Sequence, residues 1–287
     1  MLKNTSNHSN HQALMFASVW AVLQLTRIVS FFTIQSIAAG SAPVEWLYPS
    51  IVDVLIGLSA PLIAFFIWRK NGAWTRLITL IWFSVSLLER IESIGLNMVS
   101  LKPHAFFGDT QSAIALELAI FALLDAVALF IVAKQSLKEN PATAGKNAKS
   151  RGVVIAVVVW AVLQIPRYIA IPIIQNIFSG GTDHPAWLIP ALGDIVIASL
   201  SFVVIYAFWK KQGFWVWAFT LLWLALSIYD HLSTVVATIA TPGPQIFGGG
   251  TTPNLANLSA PGSQAVIDAL FFIYLAREKI RLMFMSK

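Results

Sequence analysis

The sequence predicts an all-α polytopic membrane protein with eight transmembrane helices. They form two parallel tandem four-helix repeats related by a pseudo-two-fold axis along the membrane normal. Three observations lead there: composition, the length of the apolar runs, and an internal duplication. Over 287 residues, 57% are hydrophobic and 11% charged, with a mean hydropathy of +0.73. A soluble domain carries about 25% charged residues. The apolar runs extend over roughly 20 residues, the length a helix needs to cross about 30 Å of hydrocarbon, and the alternation of about 10 residues expected of a membrane barrel strand is absent.

The duplication is read directly. Residues 20–24 and 160–164 both spell WAVLQ, and the register carries on through Trp46 and Trp187, Asp53 and Asp194, Trp74 and Trp215, and Ser86 and Ser227. Ten of the eleven tryptophans have a counterpart, Trp217 being the exception. A residue kept in both copies serves something both copies share.

Helices are predicted at 13–39, 46–68, 73–99 and 112–134 in the first repeat, and at 152–178, 186–209, 214–240 and 262–282 in the second. The chain then divides into a polar N-terminus (1–12), a first membrane repeat (13–135), a linker (136–151), a second repeat (152–282) and a tail (283–287). No small-residue cleavage site follows the first apolar run, so it reads as a retained helix rather than a signal peptide.

Basic residues set the orientation. Of 19 Lys and Arg, 15 fall on the side of the termini, the 69–76 turn, the 134–151 linker and the 210–213 turn. Lys102 alone falls on the opposite side, and Arg27, Arg90 and Arg167 lie within helices. The positive-inside rule therefore puts both termini in the cytoplasm of a plasma (inner) membrane protein. That placement also accounts for the pI near 9.7, leaving no reason to invoke nucleic acid. Tryptophans 46, 68, 74, 187, 209 and 215, at helix ends, read as interfacial anchors. On the other side, a PHAFFGD turn in 101–111 and a PQIFGGG turn in 241–262 recur at matching places, and the second loop is much the longer.

Ionisable groups inside helices cost about 2.5 to 3.5 kcal/mol each on insertion scales and face protein interiors. Here they form matched stripes. Gln24, Arg27 and Gln35 match Gln164, Arg167 and Gln175, and at about 100° per residue each trio lies within about 80° of arc. Trp82, Ser86, Glu89 and Ser93 match Trp223, Ser227, Asp230 and Thr234 on one further face. Asp53 and Asp194 come from the second helices, Asp125 and Asp268 from the fourth. Arg27 is expected to pair with Asp53 or Glu89, and Arg167 with Asp194 or Asp230, because an unpaired charge there is prohibitive. Asp125 and Asp268 are read as structural carboxylates. Among the departures between the copies, Glu89 and Arg90 become Asp230 and His231, which puts an imidazole in the second copy only.

Several chemistries lack their residues. There is no cysteine, so disulfides, thiolate metal ligands and cysteine catalysis are excluded. No lysine lies mid-helix for a retinal Schiff base, and His231 is the one histidine within a predicted helix, against the paired histidines of membrane haem. His104, His184 and His231 show no zinc-hydrolase spacing. Tyr229–Asp230 and Gly193–Asp194 occur in the reverse order to the YD and GxGD helices of presenilin-type proteases. GxSxG and phosphate-loop motifs are also missing. No catalytic residue, metal site or cofactor is therefore assigned.

The expected partners are the lipid bilayer, a small molecule or ion, and a membrane protein partner. The leading function is a carrier or small-ligand-binding protein with a polar, acidic site in the outer half of the bundle. That site comprises Arg27 and Arg167 for an anionic group, Asp53, Asp194, Glu89 and Asp230 for a cation or proton, and Gln24, Gln164 and His231. The alternative is a scaffold or accessory subunit in which the same charges are structural ion pairs; an intramembrane hydrolase comes third.

Overall fold

The structure, a computed structural model, describes residues 3–69, 72–103, 108, 110–139, 151–210, 213–247 and 258–285. Among these, every regular element is a helix, and seven helices are long and apolar enough to cross a membrane. Lys70, Lys211, part of the PHAFFGD turn (104–107), most of the linker (140–150), 248–257 of the long loop and the last two residues lie outside the described residues.

The chain divides into two compact units, Met1–Glu139 and Asn140–Lys287. The first contains α1 (Lys3–Leu23), a 3-10 stretch (Gln24–Val29), α2 (Ser30–Ala38), α3 (Leu47–Arg69), α4 (Gly72–Asn97) and α5 (Gln111–Glu139). The polar N-terminal residues extend the first helix back to Lys3, ten residues earlier than the apolar run alone implies. The second unit contains α6 (Arg151–Gln164), a 3-10 stretch (Ile165–Ala170), α7 (Ile171–Phe178), α8 (Leu188–Lys210), α9 (Phe214–Ala240), α10 (Ser259–Ala276) and α11 (Glu278–Met285).

The membrane-spanning candidates are Gln12–Ala38, Val44–Trp68 and Gln111–Ser136 in the first unit, and Gly152–Phe178, Pro185–Phe208, Phe214–Ala240 and Ser259–Ala276 in the second. α4 is not among them. At about 1.5 Å per residue its 26 residues would still reach across a bilayer. Its buried face, however, carries Ser84, Ser86, Glu89, Arg90, Glu92, Ser93 and Asn97. Its counterpart α9 has Ser233 where α4 has Glu92 and His231 where it has Arg90, and meets the apolar criterion.

Both long first helices tighten into 3-10 geometry at the arginine, a departure that apolar periodicity does not reveal. Mid-helix 3-10 segments mark strain or a functional bend. In the second unit Pro166 removes a backbone donor from the turn, and in the first Thr26 Oγ1 bonds back to the Leu23 carbonyl at 2.8 Å. The tightened turn of the first unit presses on α3, where a Cβ on Gly57 would lie 2.8 Å from Ile28 Cγ1 and 3.0 Å from its backbone nitrogen. α2 and α7 end alike: Gly40 and Gly180 have φ of 72° and 73°, followed by Ser41 N to Ser36 O at 2.9 Å and Gly181 N to Asn176 O at 2.8 Å. This is the glycine C-cap in which a left-handed residue satisfies the last carbonyls.

Within the first unit the helices close a ring, α1 against α3, α3 against α4, α4 against α5, and α5 back against α1. In the second unit α6 packs on α8, α8 on α9 and α9 on α10, but among the described residues α6 and α10 lack a comparable close approach. The seam residues explain the difference. Ala17, Ala21 and Ala128 are fully buried in the first unit, and the position matching Ala128 is Phe271, whose ring stacks on Trp160 at 5.7 Å and 11°. A phenyl ring where a methyl group stood holds the two helices apart, because interiors are already close-packed.

Trp46 and Trp187 are buried rather than at the lipid surface, and donate to the carbonyls of Ser100 (3.2 Å) and Pro242 (2.7 Å). They tie the start of α3 and α8 to the loop after α4 and α9. Trp68 and Trp74 are exposed, as anchors are.

Candidate functional site

Each unit is built around one buried arginine on the 3-10 turn of its first helix. In the first, Arg27 Nε donates to Asp53 Oδ1 and Nη2 to Glu89 Oε2, while Nη1 donates to Ser86 Oγ (2.6 Å) and Gln24 Oε1 (3.4 Å). Ser86 passes the chain on to Asp125 Oδ2 at 2.7 Å, and Asp125 Oδ1 accepts from Trp20 Nε1 (2.7 Å) and Gln24 Nε2 (2.8 Å). Ser93 donates to Glu89 Oε1 at 2.6 Å. Four helices thereby converge on one guanidinium, whose donors fan out in a plane suited to several acceptors.

The expected pairing of Arg27 with Asp53 or Glu89 resolves into both. Asp53 has two further partners on its other oxygen, Ser30 Oγ at 2.7 Å and Lys102 Nζ at 3.8 Å. Lys102 reaches in from the loop after α4, and its ammonium also lies 5.9 Å from the centre of the Trp46 ring. Burial lowers the Lys102 pKa from its ordinary value, opposed by Asp53. Beside this seat Arg90 packs over the Phe121 ring at 5.2 Å, with Nε 3.9 Å from Glu89 Oε2. The space left among Arg27, Asp53, Arg90, Lys102, Glu117 and Phe121 is about 30 Å³. That is room for about one or two waters.

The second unit repeats the arginine and not the filling. Arg167 Nη1 donates to Asp194 Oδ1 (3.0 Å) and Asp230 Oδ2 (2.6 Å), Nη2 donates to Ser227 Oγ (2.9 Å), and Nε donates to Gln164 Oε1 (2.6 Å). Nη2 also meets His231 Nε2, which lies 3.3 Å from Asp268 Oδ2. Asp268 Oδ1 accepts from Trp160 Nε1 at 2.6 Å. Here too Arg167 takes both carboxylates predicted for it. All nine residues expected to form binding sites thus lie in two clusters, one per unit, and the two expected structural carboxylates, Asp125 and Asp268, close their inner sides.

The environments differ. The Asp53 side chain is 3% exposed and that of Asp194 28%. A cavity of about 450 Å³ reaches Asp194, Arg167, Gln164 and His231. It is also walled by Leu163, Pro166, Ile169, Trp187, Thr234, Thr238, Pro244, Ser259, Ala260, Pro261 and Gln264. Four substitutions in register open it. Arg90 becomes His231, Lys102 becomes Gly243, Glu117 becomes Ala260 and Phe121 becomes Gln264. Each removes volume or reach from the space that is plugged in the first unit. The splayed α6 and α10 form the mouth, where Leu163, Ile169 and Gln264 are exposed. Small-molecule sites occupy clefts of about 300 to 1,000 Å³, apolar with a few convergent polar groups, which describes this one.

Sequence reasoning missed four contributors. Trp20 and Trp160 were read as repeat markers only; their recurrence four residues before a buried glutamine was the available signal that they serve the polar stripe. Lys102 reads as a loop residue, and its reach to Asp53 depends on how the loop folds back. Gln264 had no signal until its register partner Phe121 was placed. Among the described residues no three His, Asp or Glu side chains group to hold a metal ion. Comparison with protein-family models, with characterised proteins and with solved structures gives no match.

Proposed function

We propose that this chain is a multi-pass membrane protein that binds a small ligand in its second four-helix unit, as a carrier for that ligand. In this reading α4 spans the membrane as the eighth helix, stabilised by its ionic face, and both termini are cytoplasmic, as the distribution of basic residues predicts. The cavity then lies in the outer half of the bundle. The observation that carries the reading is the contrast between about 450 Å³ beside Asp194 and about 30 Å³ beside Asp53. A protein whose matched charges served only to lock helices would have no reason to open one copy. The first unit, with its carboxylates enclosed by Arg27, supports the scaffold role for that half: it acts as the rigid counterpart of the unit that binds.

The test is a thermal-shift screen of the full-length protein in lipid nanodiscs against cations, anions and neutral amphiphiles, followed by flux of the hits into proteoliposomes. Asp194→Asn is the diagnostic variant, since it keeps an acceptor for Arg167 and sits where solvent reaches. We expect a saturable stabilisation that Asp194→Asn removes. Identical responses of wild type and Asp194→Asn to every compound would end this reading.

A further inference from the structure

The two seats compared above carry a statement about ligand class, resting on the reading of the second cavity as a ligand site. In the first unit the carboxylate of Asp53 and the face of Trp46 are occupied by the protein's own ammonium group. Lys102 Nζ stands 3.8 Å from Asp53 Oδ2 and 5.9 Å from the Trp46 ring centre. That pairing of a carboxylate with an aromatic face is the general recognition chemistry of an organic cation. In the second unit both recognition elements remain, as Asp194 and Trp187, and both line the open cavity.

What is missing is the occupant. Proline 103 aligns with Pro244, which puts Gly243 at the place of Lys102, and Ser30, the other donor to Asp53, aligns with Ala170. Neither replacement carries a side-chain donor. Asp194 therefore keeps Arg167, which it shares with Asp230, and a side-chain contact with Asp230 itself, and loses the two donors that complete Asp53. Its exposure points the same way, because the loss of the lysine opens the carboxylate to the cavity instead of burying it against another protein group.

We infer that the second cavity binds a primary organic ammonium ion with an apolar body, its charged head seated against Asp194 and Trp187 as the Lys102 ammonium is seated against Asp53 and Trp46. The hydroxyls of Thr234 and Thr238 and the amide of Gln264 lie on the cavity wall within the same space and suit the remaining N–H donors or a polar substituent. Leu163, Ile169 and Pro261 provide the apolar surface for the body. The charge of Arg167 does not oppose this, since two carboxylates already neutralise it.

The experiment titrates the full-length protein in nanodiscs with 2-phenylethylammonium, and with 2-phenylethanol and phenylacetate as neutral and anionic partners of similar shape. Stability and tryptophan fluorescence are read together. We expect saturable binding of the ammonium alone, weakened roughly tenfold or more by Asp194→Asn, as for loss of one partner of a desolvated charge pair. Gly243→Lys, which restores the internal lysine, is expected to abolish the ammonium response. Should that variant fail to fold, Trp187→Leu reads the aromatic half of the seat by weakening the ammonium and leaving any alcohol response unchanged. Preferential, Asp194-dependent binding of phenylacetate or phenylethanol would overturn the ammonium assignment and leave the cavity a ligand site. No saturable response to any of the three, with other compounds of the screen still distinguishing wild type from Asp194→Asn, would overturn the assignment as well. No response of any kind would remove the ligand reading with it.

Discussion

The two units carry a matching arginine, each on a 3-10 turn, holding two carboxylates from α3 and α4 in the first and from α8 and α9 in the second, yet one is a closed ring and the other is open on one side. The difference lies outside the ionic centre. Phe271 in place of Ala128 separates α6 from α10, and Gln264, Ala260, His231 and Gly243 in place of Phe121, Glu117, Arg90 and Lys102 leave the separated space unfilled. Smaller residues at the filling positions make a pocket of what is a lock in the first unit, with the matched polar groups kept in place. Preorganised polar groups in a partly desolvated site are what a small ligand needs, because their ordering has been completed by folding.

The comparison breaks most visibly at the arginines. Arg27→Met leaves Asp53 and Glu89 buried without the guanidinium they share, with only the longer contacts to Lys102 (3.8 Å) and Arg90 (3.9 Å), and removal of one partner from a buried ion pair costs about 3 to 5 kcal/mol. The same change at Arg167 should cost less, since Asp194 can be solvated through the cavity. Chemical denaturation of the two variants in matched detergent micelles checks the ordering, and equal losses would contradict the closed-versus-open contrast. Next in size are the tryptophans that hold the inner carboxylates. Trp20→Phe removes a donor from the fully buried Asp125 and should destabilise by about 1 to 3 kcal/mol. Trp160→Phe, which also weakens the stack on Phe271, should loosen the mouth and increase hydrogen exchange in α10 specifically.

The matched charges were legible in the sequence because the duplication filters them: Arg27 with Arg167, Asp53 with Asp194 and Glu89 with Asp230 stand in register, and the low dielectric of a membrane interior requires them to pair. The asymmetry was not legible. It depends on Phe121 and Phe271, ordinary apolar residues whose effect arises only when α5 or α10 is placed against the first helix of its unit. Trp46 and Trp187 were misread for a related reason. A tryptophan at a helix end is amphipathic in either setting, and only the position of the Ser100 and Pro242 carbonyls shows that its N–H faces protein. The 3-10 turns escaped because apolar periodicity is blind to what accompanies them, a Thr26 hydroxyl bonded back to Leu23 in the first unit and Pro166 in the second, and the close approach of Ile28 to Gly57 arises only once α3 is placed.

Refilling the second cavity sharpens the comparison from the functional side. Gln264→Phe restores the ring that occupies the matching space in the first unit and lies at an exposed position, so it should leave folding nearly unchanged. It should weaken ligand binding roughly tenfold or more, a change of about 1.4 kcal/mol, measured by the same nanodisc titration. The reverse change, Phe121→Ala, removes packing against Trp20 and the platform under Arg90. It should destabilise the first unit without producing a ligand response, because Lys102 still occupies the seat. A response in Phe121→Ala would show that the ring, and not the lysine, keeps the first seat closed.

The smallest expected effect concerns Lys102 itself and distinguishes the occupied seat from the open one by pH. Because burial lowers the Lys102 pKa from its ordinary 10.5, the folded protein releases this proton before the unfolded chain does. Between the lowered value and 10.5 the unfolded state binds more protons, so the Lys102 contribution to stability rises with pH across that window. Lys102→Met should remove this rise, and at neutral pH it removes the burial cost of the ammonium together with the Asp53 contact, of which the burial cost is the larger. The difference between wild-type and Lys102→Met unfolding curves, taken in steps from neutral to alkaline pH, should therefore shift in favour of the wild type as pH increases. A difference that stays constant across the window would mean that Asp53 offsets the burial of the ammonium in full.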